Sequence, residues 1–250
     1  MRLPRFFVSP DSIRDGRVGL EESVAHQIQH VLRLRAGQHV VVLDNSGAEY
    51  EVELEATCAA VSGRIVARRP AGGEPRVRIT LYQALLKLDK FEWLLQKGTE
   101  VGVAAFQPIV SARVVRAEVK PHRLERWQRI VREAAEQSER GIIPPLAEPM
   151  TFEQAVENVG RDALAIIPYE EERTRSLRDV LRGKDLTGLE DPSGLSIHLF
   201  IGPEGGFTLD EIEFAIQHRV IPLTLGPRIL RAETAGLVAA SAILYEYGEL

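Results

Sequence analysis

Cysteine is nearly absent: the 250 residues hold one, Cys58, alongside two tryptophans and two methionines. A single thiol cannot close an intramolecular disulfide or build the paired Cys-x-x-Cys arrangements of zinc and redox sites, which points to a reducing compartment. Long apolar runs are also missing. No stretch approaches the ~18 consecutive apolar residues of a membrane span, and the amino terminus reaches Asp11 before a signal-peptide core develops. The expectation is a cytoplasmic protein that neither crosses nor anchors to a membrane. The short motifs of several enzyme classes are lacking too. There is no G-x-G-x-x-G for a dinucleotide and no G-x-S-x-G nucleophile elbow, and Gly183-Lys184 runs into Asp185 instead of completing a phosphate loop. His26 and His30 stand four apart with no Glu between them and no third ligand in view, so a solvated or packed pair is preferred to zinc and no metal is expected. Cys58, in a run of small residues, reads as an inert side chain.

What is present is the composition of a globular chain, 44% hydrophobic and 27% charged, of a length that suits one large domain or two of moderate size. The net charge of −5 speaks at first against a phosphate-bearing partner. Its distribution is uneven. Residues 1–73 carry nine basic and nine acidic side chains, residues 74–145 thirteen and nine, and residues 146–250 nine and eighteen. In the basic middle, Arg113, Arg116, Lys120, Arg123, Arg126, Arg129 and Arg132 recur around Trp127. Two readings stay open: a solvated helix face with i,i+4 pairs such as Glu125 with Arg129, or an electrostatic footprint for RNA.

Residues 1–73 read as a β-rich unit with one helix. Val24, Ile28, Val31 and Leu32 fall on one helical face over residues 23–34. Strands follow at 38–43 and 48–54, joined by Asn45-Ser46-Gly47, with Glu49, Glu51, Glu53 and Glu55 forming a wet outer face, and a third strand at 62–69. A Pro- and Gly-rich linker spans 69–75. Strands and helices then alternate, as in a mostly parallel sheet covered on both faces. The strands are expected at 77–84, 105–111, 163–169, 196–201 and 220–225, with helices near 89–102, 122–140, 151–159, 174–182, 208–218 and 233–247. Thr208-Leu209-Asp210-Glu211 has the form of a capping box.

Two segments carry candidate chemistry. Ile201-Gly202-Pro203-Glu204-Gly205-Gly206-Phe207 sits between an apolar strand and the capped helix, where open α/β sheets bind ligands. Its glycines allow close backbone approach to a ligand, although a plain strand-to-helix turn has the same look. The second runs from Leu225 through Gly226-Pro227-Arg228-Ile229-Leu230-Arg231-Ala232-Glu233-Thr234 to Ala235. It offers an apolar wall, a cation and a carboxylate, or else an ion pair between Arg231 and Glu233 at a helix start.

Several longer blocks, in order along nearly the whole chain, resemble the RsmE family of 16S ribosomal RNA uridine N3-methyltransferases in the SPOUT class. They are Arg5-Phe6-Phe7 and His30-Val31-Leu32-Arg33-Leu34 near the amino terminus, Lys90-Phe91-Glu92 through Gln96-Lys97-Gly98-Thr99-Glu100-Val101-Gly102-Val103, Arg126-Trp127 through Glu139-Arg140, and the two loops above. Gly98 and Val101 stand where the family more often has other residues. The resemblance implies an α/β fold: a SPOUT trefoil-knotted, mostly parallel sheet over residues 74–250, preceded by a β-rich PUA-like RNA-binding domain over residues 1–73. It implies S-adenosylmethionine as cofactor, held at Ile167, Gly202, Leu225, Gly226, Ile229, Leu230 and Thr234. It implies 16S rRNA of the small ribosomal subunit as partner, met by Arg5, Arg33, Arg113, Arg116, Arg123, Arg126 and Arg129, and a homodimer packed through the small-residue stretch Ala239-Ala240-Ser241-Ala242. From residue type, Arg231 is the candidate cation beside the uracil oxygens and Glu233 or Glu204 the candidate acceptor of the N3 proton. Rival readings are a SPOUT methyltransferase for another RNA position and a non-catalytic ribosome-binding or assembly protein.

Overall fold

Two separate β-sheets organise the chain in the computed structural model, which describes residues 2–55, 61–87, 89–114, 118–160, 163–182 and 194–250. Each sheet belongs to its own unit. The first unit comprises Met1–Glu74 and Ala135–Ile143, the second Pro75–Ala134 and Pro144–Leu250. The segment Ala135–Ile143, read from sequence as part of the second domain, thus belongs with the first unit.

In the first unit the strands are β1 (Arg5–Phe7), β2 (Ile13–Arg14), β3 (Arg17–Gly19), β4 (His39–Leu43), β5 (Ala48–Glu55) and β6 (Ser62–Pro70), with helix α1 (Glu22–His26) between β3 and β4. They lie in the order β1-β4-β5-β6-β3-β2, antiparallel apart from the β1–β4 pair. β4 reads as a continuous apolar run because both its faces are covered. Val40 and Val42 pack with Phe6, Val24, Ile28 and Val52, while Val41 and Leu43 pack with Phe7 and Ala135. The same covering corrects the wet outer face expected of β5. Glu49 is buried there, accepting hydrogen bonds from Arg5 (2.6 Å) and Arg69, while Glu51 and Glu53 pair across the strands with His39 and Arg64.

The helix expected over residues 23–34 also differs. After α1 the chain makes a π-helical turn, Gln27–Val31, and leaves it through Arg33 at φ +54°. The wider turn rotates the following residues off the apolar face. Val24 and Ile28 are buried, but Val31 and Leu32 are 65% and 41% exposed.

The second unit holds β7 (Arg78–Ala84), α2 (Lys90–Val101), β8 (Ala105–Val110), α3 (Pro121–Gln137, its last residues counted with the first unit), β9 (Met150–Thr151), α4 (Phe152–Glu157), β10 (Leu164–Pro168), α5 (Leu177–Arg182), β11 (Ser196–Ile201), α6 (Leu209–Gln217), β12 (Ile221–Leu223) and α7 (Ala232–Glu246). Its sheet is parallel throughout, in the order β12-β10-β11-β7-β8-β9. Side chains alternate across it. Tyr82, Ile109, Ile167 and Phe200 face α4 and α6. On the other face α7 packs on β7 and β11, with Gly236 against Leu81 and Ile201, and α2 packs on α7.

Ala239 and Ala240 are fully buried in that packing. They are spent inside the chain, which removes these two residues from the surface expected for a twin helix, while Ala242 stays exposed. Gly98, one of the departures from the family pattern, has a local reason: a Cβ there would lie 2.8 Å from the Phe106 ring.

Candidate functional site

All six strands of the second sheet run the same way, so their carboxyl ends and the loops leaving them gather at one edge. A cavity of about 820 Å³ lies there, walled by the loops after β10, β11 and β12, with Lys90 at its side. β10 lies between β11 and β12, so the two crossovers that join these three strands, and the loop that leaves β12, return to the same place.

The loop after β11, Gly202 to Phe207, is held from several directions. Gly206 adopts φ +67° and donates its N–H to the Pro203 carbonyl at 2.9 Å. A Cβ on Gly202 would lie 3.2 Å from the Phe207 ring and 3.3 Å from the Gly206 carbonyl carbon, a tight fit that glycine relieves. Phe207 is itself buried, 5.0 Å from Phe152. From the turn after β8, Arg113 donates to the carbonyls of Gly205 (2.6 Å) and Phe207 (3.2 Å). The capping box closes the segment: Thr208 accepts from the Glu211 N–H at 3.2 Å, and the Glu211 carboxylate accepts from the Thr208 N–H at 2.8 Å.

The loop after β12, Thr224 to Arg231, is looser. Gly226 takes φ +112° with nothing within 4 Å of where a Cβ would stand. Its N–H donates to the Thr224 hydroxyl at 3.1 Å, and Thr224 is tied to the preceding loop through the Arg175 carbonyl at 2.8 Å. Ile229 is 85% exposed. Arg231 is the N-cap of α7 without a side-chain cap bond and makes no ion pair among the described residues.

The loop after β10 was missed from sequence because its Tyr169-Glu170-Glu171-Glu172 string has the look of a solvated charge run. Tyr169, Glu170, Glu172 and Arg173 all line the cavity. Glu172 shapes the turn, accepting from the Thr174 hydroxyl (2.6 Å) and the Thr174 and Arg175 N–H groups, and these bonds push its carboxyl down to about 2. Burial, then the Glu171 charge, raises the Tyr169 hydroxyl above its ordinary value.

Of the cofactor residues read from sequence, Gly202, Leu225, Gly226, Ile229 and Leu230 line the cavity. Ile167 lies in the sheet core facing α4 and α6, and Thr234 lies in the first turn of α7; neither is among the lining residues. Of the three candidate catalytic residues, Arg231 and Glu204 line the cavity. Glu233, 9% exposed, pairs with Lys90 at 3.2 Å and not with Arg231. Lys90 also lies 3.8 Å from Glu204. Sequence reasoning quoted Lys90 within a block and gave it no role.

The basic residues separate as well. Arg5 is an internal cation, its side chain 10% exposed against Glu49, and Arg113 is committed to the loop after β11. Arg126 pairs with Glu92 at 2.7 Å, Arg123 lies 4.9 Å over the Trp127 ring, and Arg129 and Arg33 are exposed. Arg116 lies outside the described residues, as does Cys58. The His26 and His30 rings lie tilted at 43° with centroids 4.7 Å apart, and no metal-binding group of three side chains occurs among the described residues. No helix among them is long and apolar enough to cross a membrane.

Comparison with known proteins adds to this geometry. Residues 73–244 match the family model described as an RNA methyltransferase domain, and residues 20–57 that of an RNA methyltransferase PUA domain. A protein of Synechocystis named ribosomal RNA small subunit methyltransferase E is 39% identical over 242 residues, covering 96% of this chain and 76% of that one. Its namesake in Bacillus subtilis is 34% identical, covering 88% and 87%. Among solved structures, the ribosomal RNA small subunit methyltransferase E of Neisseria gonorrhoeae, bound to S-adenosyl methionine, superposes with a TM-score of 0.84 at 31% identity, over 98% of both chains. A putative methyltransferase of Legionella pneumophila, also in complex with that cofactor, gives 0.84 at 27% identity over 98% of both.

Proposed function

The chain belongs to the ribosomal RNA small subunit methyltransferase E family of S-adenosylmethionine-dependent enzymes, and from that premise we propose that it methylates N3 of one uridine in the 16S rRNA of the small ribosomal subunit. The observation that carries this reading is the cavity where three loops from parallel strands meet, lined by Lys90 and Glu204, with Glu233 paired to Lys90 behind them. The residues present fit the cofactor. Gly226 leaves open space beside a left-handed backbone, Gly202 keeps the wall thin, and Leu225 and Leu230 offer apolar surface. Gly202, Leu225, Gly226, Ile229 and Leu230 would hold it largely through main-chain groups, as the trefoil threading carried with the family would require. When bound, S-adenosylmethionine supplies a methyl group on a positively charged sulfur, which keeps the C–S electron pair as the N3 lone pair forms the new bond.

The chain's own residues handle the proton and the charge. A uridine N3 still bearing its proton has no free lone pair, so an acceptor must stand at the ring edge. Glu233 or Glu204 takes that proton, and Arg231 at the cavity mouth meets the charge that spreads onto the ring oxygens. The uracil turns out of its stack to arrive there. The exposed Arg33, Arg126 and Arg129 and the half-buried Arg123 meet phosphates, while Arg5 and Arg113 are structural.

The protein works in the cytoplasm as a homodimer joined through the exposed face of α7. Val238 and Tyr245, 41% and 76% exposed, form that face with Ala242, in place of the buried Ala239 and Ala240. Sedimentation at micromolar concentration is expected to give a dimer for the wild type and a monomer for Tyr245→Arg. A monomeric wild type would remove the dimer from this reading.

The test of function is methyl transfer from labelled cofactor to purified small subunits and to naked 16S rRNA, followed by nucleoside analysis. Methyl on N3 of a single uridine is expected. Methyl at another position, or none, would overturn the reading.

A further inference from the structure

Lys90 begins α2, Glu204 lies in the loop after β11 and Glu233 lies in the first turn of α7, so three elements distant in sequence bring one ammonium between two carboxylates. The Lys90 ammonium is 3.2 and 3.3 Å from the two Glu233 oxygens and 3.8 Å from Glu204 Oε1. Glu204 Oε1 also accepts the Lys87 N–H at 3.2 Å, which anchors that carboxylate to the turn before α2. Glu233 is the more enclosed of the two, its side chain 12% exposed against 30% for Glu204. Lys90 keeps 36% of its side chain exposed and lines the cavity.

We infer that Lys90 is a catalytic residue whose ammonium donates to a carbonyl oxygen of the target uracil while Glu233 beside it accepts the N3 proton. The inference rests on the uridine N3 reading above and goes beyond it by naming the donor and by choosing between the carboxylates. The argument is one of edges. In uracil the N3–H lies between two carbonyl groups, so a donor for the oxygen and an acceptor for the proton must themselves be neighbours. Lys90 Nζ and Glu233 Oε1 are such neighbours at 3.2 Å. An ammonium has three N–H donors. Glu233 takes one at 3.3 Å, while Glu204 at 3.8 Å is held by charge alone, which leaves a donor for a base entering from the cavity.

The proton step balances within this group. The N3–H bond breaks, its electron pair stays on the ring and is shared with the two oxygens, and the proton passes to the Glu233 carboxylate. The anion forms beside the Lys90 charge in a partly water-excluded pocket, where such a donor stabilises developing charge more than it does in water. Glu204 then serves as a positioning residue: its charge lies 3.8 Å from the Lys90 ammonium, and by accepting the Lys87 N–H it fixes the turn from which α2 starts. Arg231, exposed and without an ion pair among the described residues, remains available to the other ring oxygen.

The experiment compares wild type with Lys90→Met on small subunits. In the variant, kcat is expected to fall by ~100-fold or more, the lower range for a positioned acid–base group. The KM for subunits should stay within about threefold, as for an interaction made only in the transition state. Cofactor affinity by calorimetry and the melting temperature should match the wild type. The variant's rate should go on rising toward alkaline pH where the wild type has levelled, because the ring anion must then form without its cation. A kcat near wild type, or a loss that appears entirely as weaker cofactor binding, overturns the inference. Should Lys90→Met fail to fold, Lys90→Cys in a Cys58→Ser background, aminoethylated to restore an ammonium at the same reach, decides the matter. Recovery of at least about a tenth of wild-type kcat is expected, and a folded, aminoethylated protein without recovery overturns it. Nucleoside analysis of the wild-type product separates the two failures. Methyl away from N3 defeats the substrate reading, whereas N3 product with undiminished Lys90→Met turnover defeats this inference alone.

Discussion

The loops after β11 and β12 leave the same edge of one sheet, each begins near a glycine and each feeds a helix, yet they are built oppositely. The first is fixed by a buried aromatic ring, an arginine on two of its carbonyls and a reciprocal helix cap. The second has an exposed isoleucine, an open glycine and a helix start whose cap residue makes no side-chain bond. One wall is therefore formed before any ligand arrives, and the other has contacts still to make. A preformed wall lowers the cost of ordering on binding, and an unfinished one can close over what has bound.

The largest test of the fixed wall is Phe207→Ala. Removing a fully buried phenyl ring that packs on Phe152 is expected to cost ~3–5 kcal/mol of stability, read from urea unfolding, and to weaken cofactor binding in the fraction that stays folded. A cost under about 1 kcal/mol would mean that the loop is not held by its plug. Arg113→Ala comes next. Its guanidinium bonds to Gly205 and Phe207 are solvent-accessible, so the expected loss is about tenfold in cofactor affinity, ~1.4 kcal/mol. The salt dependence of RNA binding should not change, whereas a phosphate contact would lower that slope by about one. Unchanged cofactor affinity with a lowered slope would return Arg113 to the RNA surface and weaken the contrast between the loops.

How much of this was legible beforehand follows from the range of the interactions. The capping box of Thr208 and Glu211 spans four residues and was visible, as were the Gly- and Pro-bearing loops and the strand–helix alternation. β1, β2 and β3, two or three residues long, are too short for alternation to show. The π-helical turn after α1 misled the helical face because periodicity assumes a constant turn, so Val31 and Leu32 were placed inward. The membership of Ala135–Ile143 in the first unit depends on packing against β1 and β4 across more than ninety residues of sequence. Residue type marked Arg5, Arg113 and Arg126 as cations but said nothing about whether they meet a phosphate, a carbonyl or a carboxylate. Lys90 escaped notice for the same reason: its partners lie 114 and 143 residues away, and only the fold brings them together.

The smallest expected effect on folding belongs to the open wall. Ile229 is 85% exposed, so Ile229→Ser removes almost no buried surface and stability should stay within ~0.5 kcal/mol of wild type. Binding should respond differently. A large apolar side chain held in water at the cavity rim has transfer free energy to gain only when something covers it, and full burial of such a chain is worth ~1.5–3 kcal/mol. Partial covering by a ligand should therefore cost the variant about tenfold in cofactor affinity by calorimetry, with a smaller heat-capacity change on binding because less apolar surface is buried. Wild-type affinity for Ile229→Ser would show that the loop after β12 does not close on the cofactor. A stability loss as large as that of Phe207→Ala would show that it is not open at all, and the difference between the two walls would disappear.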